Sequence, residues 1–164
     1  MDRTFFEQGE TIEEFLSSLT ATKEKFTQLM DDCVFTEKQL EEFTQNNAEI
    51  NVMVIAEDWS GDVLYNLPVL FRMATQAGWN VRIFRRDSHP DLILPYRKDG
   101  LYHSIPVFVF FDENFNEMGN WVERPALATK VIDEESLNLR RRLREENKVA
   151  WREETIKELM DLVS

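Results

Sequence analysis

The chain has 164 residues and a formal net charge of −12, with 31 Asp and Glu residues against 19 Lys and Arg residues. This length suits one domain whose hydrophobic core needs neither disulfides nor metals. The negative charge disfavours binding to phosphate backbones and anionic lipid surfaces, so we expect no nucleic-acid partner and no membrane partner.

We expect neither a membrane anchor nor a secretory signal. No apolar run approaches the roughly 20 residues that a transmembrane helix needs. The opening residues, MDRTFFEQGE, lack a basic region followed by an apolar core, which favours a cytoplasmic protein. Cys33 is the only cysteine, so no disulfide forms within one chain. His89 and His103 are the only other soft ligands, and we predict no bound metal.

Residues 1–49 are predicted to form a helical extension that packs on the core. Within them, residues 11–31 place apolar side chains at helical spacing, which predicts one continuous helix. Thr11 and Glu14 have the spacing of a capping box, in which each side chain accepts a hydrogen bond from the other residue's backbone N–H. The first predicted helix therefore begins at Thr11.

A second helix is predicted to start at Thr36, where Gln39 completes another capping box, and to end near Asn46, with Asn47 as its stop. Cys33 lies between the two predicted helices and follows two aspartates. A helix C-terminus and neighbouring carboxylates raise the pKa of a thiol, so we predict a buried and unreactive cysteine.

Residues 50–164 are predicted to form an α/β domain. Residues 50–56, INVMVIA, are a short apolar run with β-branched side chains, typical of a strand that is covered on both faces. A helix is predicted over 62–76 and is stopped by Gly78. Residues 79–85 alternate and predict a second strand. Because the crossover of a β–α–β unit is right-handed, these two strands are predicted to be parallel.

The remaining pattern predicts a short helix, a hairpin and a long helix. The short helix follows residue 88, with Pro90 in its first turn. Residues 105–111 and about 115–121 predict an antiparallel hairpin. Residues 134–163 predict the final helix, whose buried apolar stripe is expected to be Leu139, Leu143, Ala150, Ile156, Met160 and Val163. The predicted fold class is α/β, with a mixed four-stranded sheet flanked by helices, two extra N-terminal helices and a long C-terminal helix.

The final helix carries a basic run, RRRLR, in an otherwise acidic chain. On a helix these arginines spread around the axis. Arg141 and Arg142 face Glu145 and Glu146 at i,i+4 spacing, which predicts ordinary surface pairing rather than an anion site or a partner site.

Three short motifs lie at the ends of the predicted strands. The first is EDWSGDV at 57–63 with NLPVL at 66–70, the second is Ser104-Ile105-Pro106, and the third is WVERP at 121–125. Together they resemble a bacterial thioredoxin-like family with a motif of the type E-D-W-C-G-D followed by N-x-P-V-L, over roughly residues 50–130. The resemblance implies a thioredoxin-like fold and a cis peptide bond before Pro106.

The first motif departs from the redox-active relatives where they carry sulfur. The resemblance implies a cysteine where Ser60 stands, often with a second cysteine where Val63 stands. Thiol–disulfide exchange needs a thiolate that forms a mixed disulfide, and a hydroxyl cannot form that bond. We therefore predict no disulfide oxidoreductase activity by a two-cysteine mechanism, no catalytic residue at this motif and no cofactor.

The leading interpretation is a redox-inactive binding protein that holds a peptide, a protein partner or a small thiol compound. Its groove is predicted between the loop at 59–63 and the bend at Pro106. Ile105 is predicted to offer backbone groups to an extended peptide, and Trp59, with Trp121 nearby, to offer rigid apolar surface. The predicted groove residues are Trp59, Ser60, Gly61, Asp62, Val63, Ile105 and Pro106.

Three of these residues also have a purely structural interpretation: Trp59 plugs the end of the sheet, Ser60 caps a helix and Pro106 starts a strand. A second function is a thiol-dependent oxidoreductase or transferase, in which an external thiol reacts and Ser60 donates a hydrogen bond. A third is a structural module that forms a homodimer through the apolar stripes of the terminal helices. Serine hydrolysis with His103 as the base is disfavoured, because the G-x-S-x-G arrangement is missing.

Overall fold

The computed structural model describes residues 1–45, 49–132 and 137–163. Along these residues the elements are α1 (Arg3–Phe6), α2 (Ile12–Ser18), α3 (Lys23–Asp31), α4 (Glu37–Thr44), β1 (Asn51–Ala56), α5 (Gly61–Ala77), β2 (Asn80–Arg85), a 3-10 helix (Leu94–Tyr96), β3 (Val107–Phe111), β4 (Glu117–Val122), α6 (Ala126–Ile132) and α7 (Leu137–Val163). None of these helices is both long enough and apolar enough to cross a membrane.

The four strands form one mixed sheet in the order β2-β1-β3-β4. β1 and β2 run parallel, with Asn51 paired to Asn80. β3 runs antiparallel to both β1 and β4. The predicted α/β class, the parallel first pair and the antiparallel hairpin are confirmed.

The core forms on both faces of the central strands. β1 and β3 are buried along their whole length, as the apolar run of β1 predicts. Helices α2 and α3 contribute Phe15 and Phe26, whose rings pack against Phe71 of α5 at centroid distances of 5.9 and 5.8 Å. Residues 1–45 therefore share one hydrophobic core with the sheet.

The prediction of one helix over 11–31 is wrong. The chain leaves the helical conformation at Leu19, which has φ −64° and ψ 137°, and α3 begins only at Lys23. Thr20 and Thr22 lie within the break, and β-branched residues have low helix propensity. Leu19 is itself buried, so the apolar pattern continues through a turn that the periodicity does not reveal. The capping box at Thr11 is confirmed.

The predicted start of α4 is confirmed and its predicted end is not tested. Thr36 and Gln39 form the second capping box. α4 extends to Thr44, whereas Asn46 and Asn47 lie outside the described residues.

Helix α5 matches its prediction closely, and the segment after β2 does not. α5 ends at Gly78, which adopts a left-handed conformation with φ 72°. The predicted helix after residue 88 is instead a series of turns and the 3-10 helix Leu94–Tyr96. Pro95 lacks a backbone N–H and its ring would clash with a carbonyl one turn earlier, so an α-helix cannot continue through it.

Among the described residues, the C-terminal region contains both α6 and α7, whereas a single helix was predicted there. α6 was not predicted, and the predicted start of the last helix at 134 lies outside the described residues. On α7, Ile156 and Val163 are buried as predicted, but Ala150 is exposed. The N-terminal half of α7 is consequently less deeply packed than its apolar stripe suggests.

Candidate functional site

The loop after β1 and the bend before β3 meet at one edge of the sheet. β1 and β3 are antiparallel neighbours, and Ile55 near the end of β1 pairs with Val107 at the start of β3. The Ile105–Pro106 peptide bond is cis. The backbone N–H of Glu123 donates to the carbonyl of Pro106 at 2.7 Å, which places the connector after β4 beside the same bend.

Ser60 and Val63 have structural roles at the start of α5. Ser60 is the N-cap residue, and its hydroxyl accepts a hydrogen bond from the backbone N–H of Val63 at 3.3 Å. The Val63 side chain is buried in the hydrophobic core. The helix-capping interpretation of Ser60 is confirmed, and neither of these two side chains contains a sulfur atom.

Trp59 does not plug the end of the sheet, because 61% of the residue is exposed. The guanidinium of Arg86 lies over its indole ring, 5.0 Å from the ring centroid. Arg86 also donates from Nη1 to the carbonyl of His103 at 3.2 Å. Arg86 thus connects the loop that carries Trp59 to the segment that precedes the bend.

Asp62 is held in the first turn of α5 by two arginines. Arg124 donates from Nε to Oδ1 at 3.2 Å and from Nη2 to Oδ2 at 2.8 Å. Arg144 donates from the same two nitrogens to the same oxygens, at 3.1 Å each. Only 7% of Asp62 is exposed, so all four bonds are shielded from bulk water. The carboxylate joins α5 to the connector after β4 and to α7.

Arg144 also covers Gly61. A Cβ atom at Gly61 would lie 2.9 Å from Nη1 of Arg144, so the guanidinium packs directly on the glycine backbone. The prediction of surface pairing for the RRRLR run is therefore wrong for Arg144. It holds for Arg142, which pairs with Glu146 at 3.1 Å.

Glu145 was predicted to pair with Arg141, but it accepts hydrogen bonds from a different set of residues. Its donors are Lys25 at 2.9 Å, Tyr65 at 2.6 Å and Lys148 at 2.6 Å. Lys25 belongs to α3 and Tyr65 belongs to α5, so Glu145 connects both of these helices to α7.

The main chain of Ile105 is unpaired at the bend. Neither its backbone N–H nor its backbone C=O forms a hydrogen bond with any residue that the structure describes. Its side chain and that of Pro106 are buried. The bend thus has backbone polar groups without partners among the described residues, while its side chains lie in the core.

Trp121 does not contribute to the surface near the bend, contrary to expectation. It is 7% exposed and its ring stacks on Phe108 at a centroid distance of 5.0 Å. The hydrophobic packing of β4 on β3 therefore accounts for Trp121, and Trp59 is the exposed tryptophan of this region.

A depression with a volume of about 430 Å³ borders the bend. Ser104 places it next to the cis peptide bond, and Tyr102 supplies an exposed ring. Its lining residues are Lys98, Asp99, Tyr102, Ser104, Glu123, Arg124 and Arg140. Only Ser104 belongs to the bend that was predicted to border the groove. The other residues were not predicted, because they come from two connections, the one between β2 and β3 and the one between β4 and α6, and from α7.

The described residues do not assemble a nucleophile or a metal centre at this edge. The Ser60 hydroxyl contacts the Val63 N–H and no histidine within the described chain. No group of three or more His, Cys, Asp or Glu in the described ranges is placed to hold a metal ion. Cys33 is fully buried, as predicted, and burial raises the pKa of its thiol to about 11.

Comparison with known proteins identifies the fold. The chain resembles a protein of unknown function from Pseudomonas aeruginosa, with 19% identity, a TM-score of 0.78, and coverage of 96% of this chain and 93% of that chain. It also resembles an HIV epitope-scaffold, with 20% identity, a TM-score of 0.76, and coverage of 98% and 95%. No curated protein matches the chain. A family model described as Thioredoxin matches residues 9–138, and the chain belongs to this thioredoxin family.

Proposed function

We propose that this protein binds an extended peptide at the edge of its sheet and carries out no redox chemistry there. The groove lies between the loop at 59–63 and the bend at Pro106. The observation that carries the proposal is the main chain of Ile105, which has no partner among the described residues and lies at the same edge of the sheet as the exposed Trp59. Unpaired backbone groups bind extended peptides through main-chain hydrogen bonds, while pockets on either side select the side chains.

Two surfaces at this edge of the sheet support this proposal. Alternate side chains of an extended peptide point in opposite directions. Those on one side would reach Trp59, and those on the other would enter the depression that contains Tyr102 and Ser104. A rigid aromatic anchor beside a pocket is a common arrangement at binding hot spots.

The absence of redox chemistry follows from the residues at the start of α5. Ser60 cannot form a mixed disulfide, and Val63 cannot resolve one. Cys33 cannot replace them, because it is fully buried. The proposed function therefore retains the binding edge of the thioredoxin fold without its thiols.

One observation favours a second candidate, a thiol-dependent oxidoreductase or transferase. The Ser60 hydroxyl accepts from Val63, and its own hydrogen has no acceptor among the described residues. That hydrogen is free to donate to the sulfur of an external thiol. Turnover in a glutathione-dependent assay, lost in Ser60→Ala, would support this candidate over simple binding.

The homodimer interpretation finds less support. The apolar stripes of the terminal helices already pack in the chain's own core, through Phe15 and Phe26 at one end and Ile156 and Val163 at the other. Those side chains would have to leave the core to form a dimer face.

The proposed function is tested with an array of random heptapeptides, each acetylated and amidated. Wild-type protein is compared with Trp59→Ala and with Val149→Ala, a control that truncates another exposed apolar residue, on α7. We expect a subset of peptides to bind the wild type and the control but not Trp59→Ala. In titration calorimetry, N-methylation of one peptide amide should abolish binding, because main-chain pairing with Ile105 is lost. The proposal is contradicted if no peptide binds, or if the peptides bind Trp59→Ala as tightly as they bind the wild type.

A further inference from the structure

Trp59 presents one covered face and one open face. The Arg86 guanidinium covers one side of the indole at 5.0 Å from the ring centroid. The residue is still 61% exposed, and its ring makes no aromatic contact with any other described residue. A flat apolar surface is therefore available on the side opposite Arg86.

Arg86 is fixed in place on both sides of its guanidinium. Its Nε and Nη2 donate to Oδ1 of Asp87 at 3.0 and 2.8 Å. Its Nη1 donates to the carbonyl of His103 at 3.2 Å. A guanidinium that donates from three nitrogens has a defined orientation, which favours one orientation of the ring beneath it.

The turn that carries Arg86 is attached to the loop that carries Trp59. The backbone N–H of Asp87 donates to Oε1 of Glu57 at 2.8 Å, and Glu57 is buried. The covering guanidinium and the covered ring therefore have a fixed relation to each other and to the segment before the bend. A flexible side chain loses rotamer entropy when a ligand binds to it. Trp59 and Arg86 are already ordered in the free protein, so ligand binding costs them less rotamer entropy.

We propose that Trp59, supported by Arg86, is a stacking platform for an aromatic side chain of the bound peptide. This inference rests on the proposed function and names the class of ligand. Aromatic rings gain an offset-stacked contact with an open indole face. A lysine or arginine of the ligand is disfavoured, because it would lie on the opposite face of the same indole ring from Arg86 and be repelled by its positive charge. Arg86 acts through Trp59 and is a positioning residue.

The heptapeptide array tests the ligand class directly. Peptides that bind in a Trp59-dependent way should be enriched in Phe, Tyr and Trp at one position. In the tightest binder, replacing that residue by Leu should weaken the affinity about two- to tenfold. Replacement by Lys should weaken it further. If Trp59-dependent binders show no aromatic preference, the platform is refuted while the proposed function stands. If no peptide binds at all, the proposed function itself fails.

The positioning role of Arg86 is tested with Arg86→Gln against Arg141→Gln, which removes the same charge from an exposed position on α7. Arg86→Gln should weaken the aromatic peptide but not its Leu version, whereas Arg141→Gln should leave both unchanged. Acrylamide quenching supplies an independent readout, because Trp59 is the most exposed of the four tryptophans: Trp79 and Trp121 are each only 7% exposed, and Trp151 is half-buried. Quenching should increase in Arg86→Gln as the second indole face opens. Unchanged quenching and unchanged aromatic preference would overturn the role of Arg86.

Discussion

At the scale of single residues, Ser60 occupies a position that would activate a thiol. It caps the N-terminus of the 17-residue helix α5, where free N–H groups and the helix dipole favour a negative charge. We predict that Ser60→Cys has a thiol pKa below the usual value of about 8.5. Thiolate absorbance as a function of pH measures the shift.

The wild-type protein is the control for this titration. Cys33 is buried, and burial raises the pKa of its thiol to about 11, so it does not titrate in the same range. With glutathione disulfide, the Ser60→Cys protein should form a mixed disulfide that persists, because Val63 offers no second sulfur to resolve it. A pKa at or above the usual value would show that the capping position no longer stabilises an anion.

At the scale of elements, the arginine clamp on Asp62 fixes α7 and the connector after β4 to the start of α5. The Arg124 side chain is 4% exposed and also donates to Glu123 at 2.6 Å, whereas the Arg144 side chain is 14% exposed and contacts only Asp62 among these carboxylates. We predict that Arg124→Met lowers the free energy of unfolding by about 3 kcal/mol. Arg144→Met should lower it by about 1–2 kcal/mol, because Arg144 is less buried and its loss removes a donor from Asp62 alone, whereas the loss of Arg124 removes a donor from both Asp62 and Glu123.

Urea-induced unfolding measures both changes. Arg141→Met provides a matched control, since Arg141 is exposed on the same helix and its replacement should change stability by less than about 0.5 kcal/mol. If Arg144→Met and Arg141→Met have equal effects, α7 is not held to the site by the clamp.

Elements with strong local patterns were predictable, and contacts between distant elements were not. The capping boxes at Thr11 and Thr36, the buried run of β1 and the stop at Gly78 are all encoded within a few residues. The break at Leu19 was missed because a buried residue in a turn keeps the apolar spacing intact. Helix α6 was missed although Pro125, which precedes it, is a common start for a helix.

In the candidate site, too, contacts between residues close in sequence were predictable and contacts between distant elements were not. Ser60 was predictable as a helix cap, since its partner is three residues away. Arg144 and Arg86 were not, because a charged side chain in sequence is usually a solvated one, and their partners lie on other elements. One indication for Arg86 was present: parallel strands end at the same edge of a sheet, and Arg86 directly follows β2.

At the scale of the whole molecule, Glu145 joins the N-terminal helices to the C-terminal helix. Hydrogen bonds from Lys148, Lys25 and Tyr65, in decreasing order of effect, hold the pKa of Glu145 well below its usual value, at about 2. The donors lie on α7, α3 and α5 respectively. A carboxylate whose pKa falls on folding stabilises the native state above its unfolded pKa of about 4.5 and loses that effect as the pH falls towards 2.

We therefore predict that Glu145→Gln is less stable than the wild type at neutral pH and that the gap closes between pH 4.5 and about 2. Because 45% of the Glu145 side chain is exposed, solvent screening limits the gap to about 1 kcal/mol or less. This corresponds to a shift in Tm of about 2–4 °C for a chain of this size. Thermal unfolding followed by circular dichroism at a series of pH values measures this shift in Tm.

Glu146→Gln is the control, because it removes a charge at the next position, where the partner is the exposed Arg142. A gap that stays constant down to pH 2 would mean that Glu145 stabilises the molecule through packing, and that its charge does not link the N-terminal helices to α7.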